Sequence, residues 1–285
     1  MFAVYGFIGL SLVFLAFVLN ILGISLRVIS INPLFTIGYW LFFDAIDFKL
    51  NKKSILHKIK RRHSSFAYLI LIGVFIGLFS DFLGTYVLNF WGWYYAGLPL
   101  WLQVLSYIKG LFFGYGVPIL MYYSIYRVFA TVVKNEFGIF GIKFFPKNVE
   151  KVFFSLSGLL GLMFLLVSTF SYFLGLDLLV LGSAFFGLFM FLEYVEYKRH
   201  ERSLLKDIFE GRWNCILALI LAGLITGFVW EFLNLFKPRW EYHNLPFESF
   251  AIAGIPISLL LAWVPFIAIY LSFYRAVFKG RDEIW

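Results

Sequence analysis

The chain has 285 residues, of which 62% are hydrophobic, 22% aromatic and only 14% charged, with a net charge of +8 and one cysteine, Cys215. Soluble domains carry roughly a quarter charged residues, and several apolar runs here reach the ~20 residues that cross a bilayer. A soluble globular domain and an intrachain disulfide framework are therefore excluded, and the positive charge, which lies in the connections between apolar runs, reads as a topology signal with no nucleic-acid partner.

Apolar runs fall at about 2–26, 33–48, 66–90, 100–133, 151–174, 177–197, 213–236 and 248–279. They predict an all-α polytopic membrane protein of about eight transmembrane helices. The first run lacks the basic start and small-residue cleavage site of a secretory signal and is expected to stay as a span. The fourth is longer than one crossing requires, so its opening stretch is expected along the interface.

The connection after the second run carries Lys49, Lys52, Lys53, Lys58, Lys60, Arg61 and Arg62 with no acid, whereas the one from Asn89 to Pro99 has no charge. By the positive-inside rule the first is cytoplasmic and the second external. Threading eight helices on that basis gives an integral protein of the cell membrane with both termini cytoplasmic.

The stretch Gly73-Val74-Phe75-Ile76-Gly77-Leu78-Phe79-Ser80-Asp81-Phe82-Leu83 returns 150 residues later as Gly223-Leu224-Ile225-Thr226-Gly227-Phe228-Val229-Trp230-Glu231-Phe232-Leu233. Both copies read G-x-x-x-G-x-x-x-acid-F-L, and each is followed by a W-x-Y-x-x-L-P loop containing Trp93 and Tyr95 or Trp240 and Tyr242. Asp44 and Asp47 followed by Ser54 answer Glu193 and Glu196 followed by Ser203, and Tyr126-Arg127 answers Tyr274-Arg275. The landmarks keep their order at a nearly constant offset. They predict a first four-helix repeat over 1–135, a cytoplasmic linker over 136–150 and a second four-helix repeat over 151–285, parallel to one another because each holds an even number of spans.

Gly73, Gly77 and Asp81 stand i, i+4, i+8 on one stripe of a helix, as do Gly223, Gly227 and Glu231. The glycines read as sites of close helix approach. The acids read otherwise, because a carboxylate inside a span is expensive and marks either a functional site or a partnered polar network. Asp81 and Glu231 are the candidate catalytic residues. Asn89, Trp93 and Tyr95, with Asn234, Trp240 and Tyr242, are the candidate substrate-binding set, although an aromatic belt at the membrane interface uses the same residue types. Asp44 with Asp47 and Glu193 with Glu196 are secondary acidic pairs, spaced to hold a metal-bound diphosphate or, as the plainer reading, to bridge to the adjacent Lys49, Lys52, Lys198 and Arg199. Four scattered histidines form no metal-ligand spacing, and P-loop, G-x-S-x-G, H-E-x-x-H, histidine-box and haem motifs are missing, so neither a metal nor another cofactor is expected.

An acid at the end of a span, an aromatic W-x-Y segment and a helix opening with G-(V/I)-P make each half resemble the small membrane domains of heterodimer-type lycopene cyclases and, less closely, the carotenoid hydratases of the bacterioruberin pathway. The residues are Asp81, Trp93, Tyr95 and Gly116-Val117-Pro118 in one half, and Glu231, Trp240, Tyr242 and Gly254-Ile255-Pro256 in the other. The P-x-E-(E/D) motif of those cyclases is replaced by Pro118-Ile119-Leu120-Met121 and Pro256-Ile257-Ser258-Leu259. The resemblance implies an enzyme that acts on an isoprenoid or carotenoid-type lipid by acid-catalysed cyclisation, hydration or isomerisation. A proton-coupled transporter with 4+4 repeats and a non-catalytic membrane assembly protein remain as alternatives. The expected partners are membrane lipid and a hydrophobic small-molecule substrate, with a homo-oligomer left open.

Overall fold

The computed structural model describes residues 3–23, 31–61, 64–93, 99–137, 141, 146–199, 203–236, 238, 240–243, 245 and 249–277. In chain order these form α1 (Val4–Ile21), α2 (Ile31–Asn51), α3 (Ile55–Arg61), α4 (Ser64–Asp81), a π-helical segment (Phe82–Val87), β1 (Trp91–Trp93), α5 (Leu100–Gly110), a second π-helical segment (Leu111–Gly116) and α6 (Pro118–Phe137). There follow α7 (Lys147–Phe173), α8 (Asp177–Lys198), α9 (Leu204–Phe209), α10 (Asn214–Phe236), β2 (Trp240–Tyr242), β3 (Ala251–Ile252), β4 (Ile255–Pro256) and α11 (Ile257–Val277).

Seven helical stretches among the described residues are long and apolar enough to cross a membrane: Val4–Ile21, Phe66–Val87, Leu100–Phe137, Asn148–Phe173, Leu179–Lys198, Asn214–Phe236 and Ile257–Ala276. Large apolar side chains such as Phe14, Leu71, Leu166 and Phe170 point outward, as expected where the surrounding solvent is hydrocarbon. The protein is an all-α polytopic integral membrane protein. The second of the eight expected runs stands apart from these seven. That run does form α2, whose 21 residues reach about 31 Å, but Asn32, Thr36, Asp44 and Asp47 keep it out of the apolar set. Leu100–Phe137 is one continuous helical stretch of 38 residues, about 57 Å of rise and nearly twice the ~30 Å hydrocarbon core.

The chain divides into two compact units, one of Met1–Val128 with Leu224–Leu261 and one of Phe129–Gly223 with Ala262–Glu283. In the first, α1 and α2 pack where Gly9 and Gly38 oppose each other: a Cβ on either would come within 2.6–2.8 Å of the other's carbonyl oxygen. In the second, Gly161 of α7 and Gly187 of α8 make the same reciprocal approach, with 2.8 Å on each side. Small residues at such a crossing let backbones touch, which is how helices associate without a hydrophobic driving force.

The secondary acids fix the short helices. Asp44 accepts the Leu56 N–H at the start of α3 at 3.0 Å, together with the hydroxyls of Ser54 at 2.7 Å and Tyr5 at 3.0 Å. In the second unit Glu193 accepts the Leu205 N–H at the start of α9 at 2.8 Å and the Ser272 hydroxyl at 2.7 Å. The other acid of each pair binds an arginine: Asp47 pairs with Arg127 at 2.6 Å, and Glu196 pairs with Arg275. The expected bridges to Lys49, Lys52, Lys198 and Arg199 are therefore replaced. A buried carboxylate at 0% exposure is reached by a cation from another buried helix face, whereas Lys49 and Lys52 stay exposed, Lys198 lies over the Tyr194 ring and Arg199 donates to the Ala276 carbonyl.

The two G-x-P elements take different structures. Gly116 closes the second π segment and Pro118 opens α6 within a continuous helix; lacking an N–H, Pro118 cannot continue the α ladder, and the Val117 N–H instead reaches back to the Phe112 carbonyl at 2.7 Å. Gly254 lies in the turn of the β3–β4 hairpin, where Ala253 and Gly254 have φ of 50° and 80°, as two-residue hairpin turns with both central residues at positive φ require.

Candidate functional site

Asp81 is 1% exposed and closes α4 inside the Phe66–Val87 stretch. The glycine stripe that precedes it explains its surroundings. A Cβ on Gly73 would lie 2.4 Å from the Tyr115 carbonyl, and one on Gly77 would lie 2.2 Å from the Tyr115 ring. The two glycines thus admit the second π segment against α4. One turn beyond Gly77, the Tyr115 hydroxyl donates to Asp81 Oδ1 at 2.7 Å.

A second donor arrives from β1. The Trp91 indole N–H reaches the same Oδ1 at 3.1 Å, and its ring lies across Gly84, where a Cβ would meet it at 1.8 Å. Gly84 belongs to the π segment that follows Asp81, whose register is marked by the Leu88 N–H donating to the Leu83 carbonyl at 2.9 Å. Both sides of the Asp81–Tyr115 contact are therefore π-helical, a local geometry that recurs at functional sites. Oδ2 of Asp81 has no hydrogen-bond partner among the described residues, and the Trp93 indole completes the surroundings of this carboxyl.

Glu231, 3% exposed, lies in the last third of α10 and accepts the Tyr242 hydroxyl at 2.8 Å. Burial, and then the Glu231 carboxylate, push the Tyr242 phenol well above its ordinary range, so it remains a donor at any physiological pH. The two acids are joined through a two-stranded antiparallel ribbon. β1 pairs with β2 in the register Trp91 with Tyr242, Gly92 with Glu241 and Trp93 with Trp240, and the His243 N–H extends the ladder to the Phe90 carbonyl at 2.8 Å. The directly opposed pair, Trp91 and Tyr242, supplies one donor to each acid. Trp93 and Trp240, the first aromatics of the two W-x-Y segments, also face each other, at 5.8 Å between ring centroids.

The remaining expected residues divide. Asn234 donates to the Trp240 carbonyl at 2.9 Å, holding β2 against the end of α10. Together with Trp240 it lines a small surface cleft with Asn32, Phe35, Trp230 and Leu233. Trp230 lies 6.2 Å from Trp240 and 5.8 Å from Phe35. Asn89 is exposed, with φ of 52°, and turns the chain from the π segment into β1; a left-handed residue there suits asparagine. Tyr95 lies outside the described residues. Asp44, Asp47, Glu193 and Glu196 occupy the helix-fixing networks described above.

Tyr115 and Trp91 were not among the expected site residues. Trp91 stands ten residues after Asp81, a spacing with no periodic meaning, and Tyr115 is joined to Asp81 only by the close approach that the glycines permit. No family model, no curated protein and no solved structure matches this chain.

Proposed function

We propose that the protein is a membrane enzyme that acts on an unsaturated isoprenoid-type lipid, with Asp81 as its general acid and Glu231 as a second acid. The observation that carries this reading is the asymmetry of the Asp81 carboxyl. Two neutral donors, Tyr115 and Trp91, converge on Oδ1, while Oδ2 has no hydrogen-bond partner among the described residues, in a span where a carboxyl without a role is costly. Oδ2 is then the oxygen that carries a proton to a carbon–carbon double bond. The cation formed is stabilised by the faces of Trp93 and its aromatic neighbours. Return of a proton from another adjacent carbon to Oδ2 gives isomerisation, attack of a second double bond on the cation before that return gives cyclisation, and addition of water with return of its extra proton to Oδ2 gives hydration.

The same reading takes the chain as a tandem duplication in which both termini are cytoplasmic. It is supported by the recurrence, inside each unit, of the reciprocal glycine crossing, of the acid that caps a short helix and of the acid–arginine pair. The copies have diverged at the acid itself, since α10 runs through Glu231 as plain α-helix while Asp81 is followed by π-helix.

The test is mass spectrometry of total lipid extracts from a host making acyclic carotenoids and expressing the wild-type chain, Asp81→Asn or Tyr115→Phe. A new cyclic, hydrated or isomerised product from the wild type, lost in Asp81→Asn, is the expected result. Products at equal level from well-folded Asp81→Asn would remove Asp81 from the chemistry.

A further inference from the structure

The basic connection between α2 and α4 carries more positive charge than its own structure uses. Its two nearest acids are consumed internally: Asp44 by Ser54, Tyr5 and Leu56, and Asp47 by Arg127 and by the Asn51 amide at 2.7 Å. Lys49, Lys52 and Lys60 remain exposed and make no ion pair among the described residues. The corresponding connection after α8 is different, because there Arg212 pairs with both Asp207 and Glu210.

The segment is held in place. The Lys53 carbonyl accepts from Arg127 at 3.2 Å, Ile55 is fully buried, the Leu56 N–H is bound by Asp44, and the His57 ring stacks on Phe48 at 4.3 Å with 8° between planes. These tethers fix the backbone while the lysine stems project outward.

Lys52 shows a further feature. It follows α2 with φ of 57°, its N–H returning to the Phe48 carbonyl at 2.9 Å. This is the left-handed helix-ending position that glycine or asparagine fills without strain. A lysine there sacrifices backbone comfort for a charge.

We propose that Lys49, Lys52 and Lys60 form a preorganised site for the phosphate of anionic glycerophospholipids in the leaflet at the start of the Phe66–Val87 stretch. Lysines a few residues from a span lie at headgroup level, where each contributes to attraction for anionic lipid and is screened by salt. The compact, rotatable ammonium suits phosphate as a point charge. An orientation signal alone requires neither a fixed backbone nor a strained lysine.

The experiment is native mass spectrometry of the full chain released from bilayers of equimolar phosphatidylglycerol and phosphatidylcholine, for the wild type and for Lys49→Gln/Lys52→Gly/Lys60→Gln. The wild type is expected to retain phosphatidylglycerol preferentially. The preference should fall by roughly five-fold for each charge removed, and in the wild type it should fall steeply as salt rises before release. Replacement of all three by arginine should keep it. An equal preference in the triple glutamine–glycine variant, or a wild-type preference unmoved by salt, would overturn the site. The salt series needs no variant, so a folding failure leaves the proposal testable, and neither readout depends on the chemistry proposed for Asp81.

Discussion

At the scale of single residues, the site depends on how two side chains share one carboxylate oxygen. Tyr115 and Trp91 both bind Oδ1 of Asp81, and a neutral hydrogen bond of this kind is worth about 1 kcal/mol. Tyr115→Phe is therefore expected to lower product formation by roughly five-fold, well short of the ~10²-fold or greater loss expected for Asp81→Asn; rates of product accumulation separate the two. Gly84→Ala should act on the fold instead. Its Cβ would meet the Trp91 ring at 1.8 Å, and overpacking of this order costs about 1–3 kcal/mol, read as a lowered unfolding temperature in detergent. The acids were legible in the sequence because a carboxylate within an apolar run has few reasons to exist. Their partners were not, because the π segments bring together Asp81 and Tyr115 from positions that no helical period connects.

At the scale of elements, two features permit tests. The acid–arginine pairs join helices far apart in the chain, Asp47 on α2 to Arg127 on α6 and Glu196 on α8 to Arg275 on α11. Removing one partner leaves the other buried and uncompensated, at a cost of about 3–5 kcal/mol. Arg127→Met is thus expected to unfold far more readily than the Asp47→Leu/Arg127→Met double variant, a difference that thermal unfolding measures. The sequence displayed both members of each pair, as D-x-x-D or E-x-x-E and as Tyr-Arg landmarks, and their common offset was the sign of their partnership. Charge proximity along the chain pointed instead to neighbouring lysines, which burial leaves outside. The second feature is the ribbon register, with Gly92 opposite Glu241. Directly opposed residues in an antiparallel pair lie about 4.5–5.5 Å apart at Cα, within the range a disulfide spans. Gly92→Cys/Glu241→Cys should oxidise to an intrachain link, visible by mass spectrometry against a background of one buried cysteine. The pair Gly92→Cys/Trp240→Cys, one position out of register, should link far less.

At the scale of the whole molecule, composition announced an all-helical membrane protein, and the structure bears this out with seven stretches apolar enough to cross. The eighth, α2, is less apolar because its ends are polar for structural reasons: Asp44 and Asp47 serve neighbouring helices and dilute the apolar signal. Its placement decides a parity. If α2 crosses, as the proposed duplication requires, reporter fusions at residue 1 and residue 285 should both report the cytoplasm; opposite sides would mean an odd number of crossings.

The ribbon also sets a timetable for biosynthesis. Trp93 and Trp240 are 147 residues apart in the chain, and ribosomes add about 5–20 residues per second. From roughly seven to thirty seconds therefore pass between the emergence of one strand and that of its mate. During that interval the first half has made its acid and its glycine stripe, but β1 has no partner strand and the Trp91 donor no fixed seat. The seat of the Trp91 donor to Asp81 is thus completed only by the last quarter of the polypeptide, so a chain truncated before β2 holds the acid without the ribbon that joins it to Glu231.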